Sequence, residues 1–66
     1  MRVSINGETK EIPNEVNLSE LLKNLSLPSE RVAIELNKEV IRKRDWEHVK
    51  VADADKIEII HFVGGG

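Results

Sequence analysis

No cysteine occurs in the 66 residues. That excludes a disulfide framework, a thiolate metal site and a catalytic thiol. No apolar run approaches the ~20 residues that cross a bilayer as a helix. The opening residues also lack the charged-then-apolar segment that directs secretion. A soluble cytoplasmic protein with no membrane partner is expected, and the missing cysteine suits such a reducing compartment. An excess of positive charge is absent too: 10 Lys and Arg face 12 Asp and Glu, for a net charge of −2. A nucleic-acid partner is therefore not expected, since such binders gather a basic excess on one face. The one dense basic run, Arg42-Lys43-Arg44, is followed at once by Asp45 and Glu47. It reads as a solvated turn rather than a phosphate cradle.

Conventional sites are missing as well. Apart from Gly7, the glycines stand together at Gly64, Gly65 and Gly66, so no glycine-rich loop joins a strand to a helix. His48 and His61 are the only histidines, and neither sits at a metal-ligand spacing. No serine or threonine lies in a nucleophile motif. Asp53 and Asp55 flank Ala54 in a stretch that reads as a turn, which suits turn formers better than a general acid and base. The chain is not expected to be an enzyme by itself, nor to hold a cofactor or metal. A chain this short buries only ~60% of the surface that its unfolded form exposes, so its core is thin and packing alone must hold it.

What is present is pattern. "MRVSIN" alternates, with Met1, Val3 and Ile5 on one side and Arg2, Ser4 and Asn6 on the other. That is the period of a half-buried strand. Asn6-Gly7 tolerates the positive φ values of a tight hairpin turn, and "ETKEI" returns as a polar edge strand. After Pro13, Leu18, Leu21, Leu22 and Leu25 form one helical stripe. Asn17 and Glu20 are spaced as a capping box, and Pro28 is expected to stop the helix. So short a helix does not persist alone in water and must lie on a sheet.

"VAIELN" predicts a third strand, and Val40 and Ile41 a short fourth after a turn at Asn37-Lys38-Glu39. "RDWEHV" is expected to form one tight turn, with Trp46 as a lid on the core. "KIEIIHF" closes the domain as a strand apolar on both faces: Ile57 and Ile59 on one, Ile60 and Phe62 on the other. Such a strand is central in a covered sheet or open to a partner on one side. One helix cannot cover both faces, so apolar surface should stay open near its end. The order fits an α+β fold: a mixed sheet of four to five strands, the last parallel to the first, packed on one main helix. This is the β-grasp arrangement of ubiquitin. Residues 1–63 are read as the domain and 64–66 as a flexible glycine tail.

Gly64 to Gly66 offer no side chains, which leaves the terminal carboxylate as the reactive group. It is ionised at neutral pH and a poor electrophile until activated, for example as an acyl-adenylate. Without Cβ atoms the glycines can thread a narrow channel. The four residues beyond Phe62 reach roughly 13–14 Å when extended, enough to enter another protein's active site. Ile60, Phe62 and Val63 are the residues expected to dock beside the channel mouth. A tail of glycines alone also fits a frayed chain end; one abutting the last strand of a β-grasp domain fits a working end better.

The stretches "AIELNKEVIRKRDWE", from Ala33 to Glu47, and "DADKIEIIHFVGGG", from Asp53 to Gly66, resemble the sulfur carriers of thiamine biosynthesis, the ThiS family. "INGE" and the leucine helix agree, so the resemblance spans essentially the whole chain. Two departures lie in turns: Arg42 or Lys43 where that family often has proline, and Ala54 where it often has glycine. The resemblance implies a mechanism. A ubiquitin-activating-type adenylyltransferase (ThiF-like), using ATP and magnesium, adenylates Gly66, with Gly64 and Gly65 giving access. Sulfur from a cysteine desulfurase or another donor then makes a thiocarboxylate. A thiazole synthase (ThiG-like) takes that sulfur for the thiazole of thiamine. The alternatives are the small subunit of molybdopterin synthase, with the same tail chemistry, and a ubiquitin-like interaction module whose tail does nothing.

Overall fold

The computed structural model describes residues 1–62. The chain runs β1 (Arg2–Ile5), β2 (Glu8–Glu11), α1 (Leu18–Asn24), β3 (Val32–Leu36), β4 (Glu39–Ile41), a 3₁₀ helix (Lys43–His48) and β5 (Lys56–His61). The five strands form one mixed sheet in the order β2-β1-β5-β3-β4. β5 pairs parallel with β1 and antiparallel with β3, so the last strand is the central one. This is the expected β-grasp sheet, with one α-helix among the described residues.

The two hairpins turn on neighbouring residues of positive φ: Asn6 and Gly7 at 51° and 83°, Asn37 and Lys38 at 51° and 73°. Two-residue turns of that hand match the twist of the strands they join. Sequence alternation then sets which side chains face inward. Val3, Ile5, Ile34 and Ile57 are buried toward α1, and Leu18, Leu21 and Leu22 meet them from the helix.

α1 begins as its capping box predicts. The Glu20 amide donates to Asn17 Oδ1 at 2.8 Å, and the Asn17 amide donates to Glu20 Oε1 at 2.9 Å. Its end differs from the expectation. Asn24 is the last helical residue and Leu25 the C-cap. Ser26 takes φ 57°, its amide donating to the Lys23 carbonyl (3.0 Å) and that of Leu27 to the Leu22 carbonyl (2.9 Å). That double closure satisfies the last carbonyls before Pro28 is reached.

"RDWEHV" also forms more than one tight turn, since the 3₁₀ helix extends over six residues. It presses Trp46 into the core at 2% exposure, where the indole Nε1 donates to the Ile41 carbonyl at 2.9 Å. Trp46 is the lid that the sequence suggested. Asp53 and Asp55 are turn formers, as expected. Asp53 Oδ1 accepts from the Arg2 amide (2.9 Å), and Asp55 Oδ2 from the Ala52 amide (2.7 Å).

Candidate functional site

The strand that leads to the glycines is held on both edges. Along β3 the register runs from Leu36↔Ile57 to Val32↔His61, and the Phe62 amide adds a bond to the Arg31 carbonyl at 2.9 Å. Along β1 the backbone pairing ends at Ile5↔Ile57. There Asn6 takes over with its side chain: Oδ1 accepts from the Ile59 amide (2.8 Å), and Nδ2 donates to the Ile59 carbonyl (3.1 Å). A primary amide has one acceptor and two donors, so it stands in for one more residue of strand. Asn37 also bonds β5, at its start, with one backbone and one side-chain partner. Its Oδ1 accepts from the Lys56 amide at 2.9 Å, while its Nδ2 donates to Asp55 Oδ1 at 3.1 Å.

Sequence reading placed both asparagines in turns and missed this second role. The available signal was an asparagine at the first position of two tight turns, where the side chain lies beside the neighbouring strand. Together they tie β5 to the two hairpin turns, Asn37 at its start and Asn6 near its end.

Parity along β5 sorts its side chains. Ile57 and Ile59 face the core, while Glu58, Ile60 and Phe62 alternate onto the uncovered face. Ile60 is 47% exposed and Phe62 51%. Ala33 lies directly opposite Ile60, and Glu35 pairs with both Glu58 and Val40, which is 65% exposed. Ala33, Ile60 and Phe62 thus form the apolar part of that face at the end of β5, while Val40 lies one row back, in line with Glu35 and Glu58. Two of the three residues expected to dock, Ile60 and Phe62, are placed as parity required. Ala33 was not singled out, because its place beside Ile60 depends on cross-strand register.

Val63, Gly64, Gly65 and Gly66 lie outside the described residues, so docking by Val63, access through Gly64 and Gly65 and reaction at Gly66 are not placed. Among the described residues no group of three or more His, Cys, Asp or Glu is arranged to hold a metal. His48 Nε2 lies 3.6 Å from Glu47 Oε1 on the surface, and His61 stands exposed on β5. No buried side-chain polar atom among them lacks a partner.

Residues 3–66 match the model of the ThiS family. The chain belongs to that family. It is 45% identical over 49 residues to the sulfur carrier protein ThiS of Bacillus subtilis, covering 74% of each chain. A crystal structure of the thiamine biosynthesis protein ThiS from Geobacter metallireducens superposes with a TM-score of 0.89 at 33% identity, each chain covered in full. The chain is also 39% identical over all its 66 residues to a thiazole synthase of Paramagnetospirillum magneticum. It spans only about a fifth of that protein's length, and the same holds for a thiazole synthase of Magnetococcus marinus. In both relatives a family-like segment is therefore part of the same polypeptide as the rest of a thiazole synthase.

Proposed function

We propose that this chain is a sulfur carrier for thiazole formation in thiamine biosynthesis, with the carboxylate of Gly66 as its working group. The observation that carries the proposal is the match over residues 3–66 to the ThiS family. The thiazole synthases that contain a similar segment support the identity of the acceptor. The uncovered apolar face at the end of β5 supports a role that depends on docking.

Chemically, one carboxylate oxygen of Gly66 attacks the α-phosphorus of ATP in a ubiquitin-activating-type partner, and magnesium pyrophosphate leaves. The resulting acyl-adenylate is a good electrophile. A sulfur nucleophile adds to its carbonyl carbon and AMP departs, giving a thiocarboxylate when that nucleophile is hydrosulfide. A thiazole synthase then accepts the sulfur, with a cysteine desulfurase or another donor replenishing it. The carrier would contribute position: β5 is clamped up to Phe62, beside the uncovered apolar face.

The test is the intact mass of the chain after incubation with ATP, magnesium, sulfide and the adenylating partner from its own cell. A gain equal to exchange of one oxygen for sulfur is expected, and none when Gly66 is deleted. An unchanged mass, with the partner shown to be active on ATP, would overturn the reading.

A further inference from the structure

β2 bounds the sheet on one side, with β1 as its strand neighbour, and all four of its residues are exposed. Bonded and non-bonded pairs alternate along an antiparallel ladder, which shows which of its backbone groups are used. Met1 and Ile12 are a bonded pair. The Ile12 amide donates to the Met1 carbonyl at 2.8 Å, and the Met1 amine donates to the Ile12 carbonyl at 2.7 Å. Val3↔Lys10 and Ile5↔Glu8 follow as the next bonded pairs. Arg2 and Ser4 bond the other way. The Ser4 amide donates to the Asp55 carbonyl at 3.0 Å, and the Arg2 carbonyl accepts the Ala54 amide at 2.8 Å. Thr9 and Glu11, which stand opposite them, thus hold amides and carbonyls that point outward from the edge.

Sheet edges are commonly kept apart by charge, lysine above all. β2 carries both signs, at a spacing that permits one self-pairing. Two copies related by a twofold axis through Thr9 set Glu8 of each opposite Lys10 of the other. Lys10 already lies 3.9 Å from Glu8 of its own strand, so the four groups alternate in sign around a square. On the other side of the strand, Glu11 is engaged with Arg2 at 3.1 Å. It falls opposite Gly7 of the second copy, which carries no side chain. A slip of two residues either way is repelled, since Lys10 would face Lys10 or Glu8 would face Glu8. A slip of one sets outward groups against groups already bonded to β1.

We propose that β2 is the seam of a twofold dimer of this chain, with one continuous sheet running through both copies. At the centre, Thr9 of each copy exchanges amide-to-carbonyl bonds with Thr9 of the other. Complementary charge in that single register selects a second copy as the occupant. Apolar contact is added on the helix side of β2. There Leu27, 40% exposed, and Leu25 line a shallow groove with Ile5, Glu8 and Lys10. The twofold axis keeps both grooves on the same side of the sheet, where they flank the seam. A strand of four residues a side falls short of the ~800 Å² per partner of stable complexes, so the dimer is weak and exchanges quickly. β1 separates the seam from β5, which leaves Ile60 and Phe62 outside it. The dimer therefore does not depend on the carrier reading and does not compete with docking at the end of β5.

The experiment is sedimentation equilibrium of the purified chain up to millimolar concentration, at low salt because exposed charges are screened. The parent is compared with E8K, with K10E and with their equal mixture, after circular dichroism shows each to be folded. The parent should dimerise reversibly. Each single variant sets like charges across the seam, and its dimer dissociation constant should rise about tenfold or more. Mixed, the two variants restore opposite charges across the seam and should associate at least as tightly as the parent. Amide hydrogen exchange locates the contact, since the Thr9 amide should slow as the parent dimerises. A parent that stays monomeric at millimolar concentration overturns the proposal. So does a dimer that both variants keep, or a mixture that associates no better than its components. Protection of Thr9 that appears only when the adenylating partner is added gives the edge to that partner, and likewise overturns it.

Discussion

Ala54 sits at φ 70° between Asp53 and Asp55, its amide donating to the Arg2 carbonyl at 2.8 Å. A left-handed conformation costs an L-residue roughly 1–2 kcal/mol, and glycine almost nothing. Ala54→Gly relieves that strain, at the expense of a more flexible unfolded chain. A net gain of about 0.5–1 kcal/mol is expected, read as a rise of a few degrees in Tm. An unchanged or lower Tm would show that the turn bears no such strain. Asn6 shares the positive φ but not the remedy. Glycine there would suit the backbone and lose both bonds to Ile59. The Asp-Ala-Asp departure was legible in the sequence because a turn residue declares its own backbone. The work of Asn6 was not read from the sequence: its place in the turn was visible, but its partner lies 53 residues away.

At the scale of elements, α1 shows which ends of a helix a sequence announces. Its start is written in a short local rule, the Asn17–Glu20 box, and forms as spaced. Its stop was expected from Pro28, yet the chain closes on Ser26 through two backbone bonds. Serine is an uncommon choice for a left-handed cap, so nothing in its identity marked the site. Removing the start signal is the cleaner test. Asn17→Ala deletes the side-chain acceptor of the Glu20 amide and is expected to cost about 1 kcal/mol. In urea this should lower the midpoint and leave the slope unchanged. A shift too small to measure would mean that packing of Leu18, Leu21 and Leu22 on the sheet holds the helix end without its cap. The 3₁₀ helix was underestimated for a related reason. Its six residues carry one buried side chain, Trp46, too few to show a period.

For the whole molecule, the sheet separates what folds the protein from what it presents. Inward residues of β5 make the core, and outward ones lie on the uncovered face. Ile60→Ala and Phe62→Ala should therefore leave Tm nearly unchanged, because both side chains are about half exposed. Association with the adenylating partner should weaken by about tenfold for each substitution if it is a central contact. Calorimetric titration decides it, and parent-like affinity for both would remove this face from the interface. Alternation alone made the separation legible, since Ile57, Ile59, Ile60 and Phe62 could be assigned to opposite faces without coordinates. The neighbour of Ile60 could not, because Ala33 joins it only through the register of β3 against β5.

The central place of β5 has a bearing on biosynthesis. It is the last of the five described strands to be synthesised, yet both halves of the sheet need it: β1 and β2 on one side, β3 and β4 on the other. A nascent chain that stops short of Lys56 holds two separate hairpins with no strand between them, and isolated hairpins are marginal in water. Translation must therefore bring the chain to the verge of its glycines before the sheet can close, and a prematurely terminated copy has no assembled face with which to occupy a partner's channel.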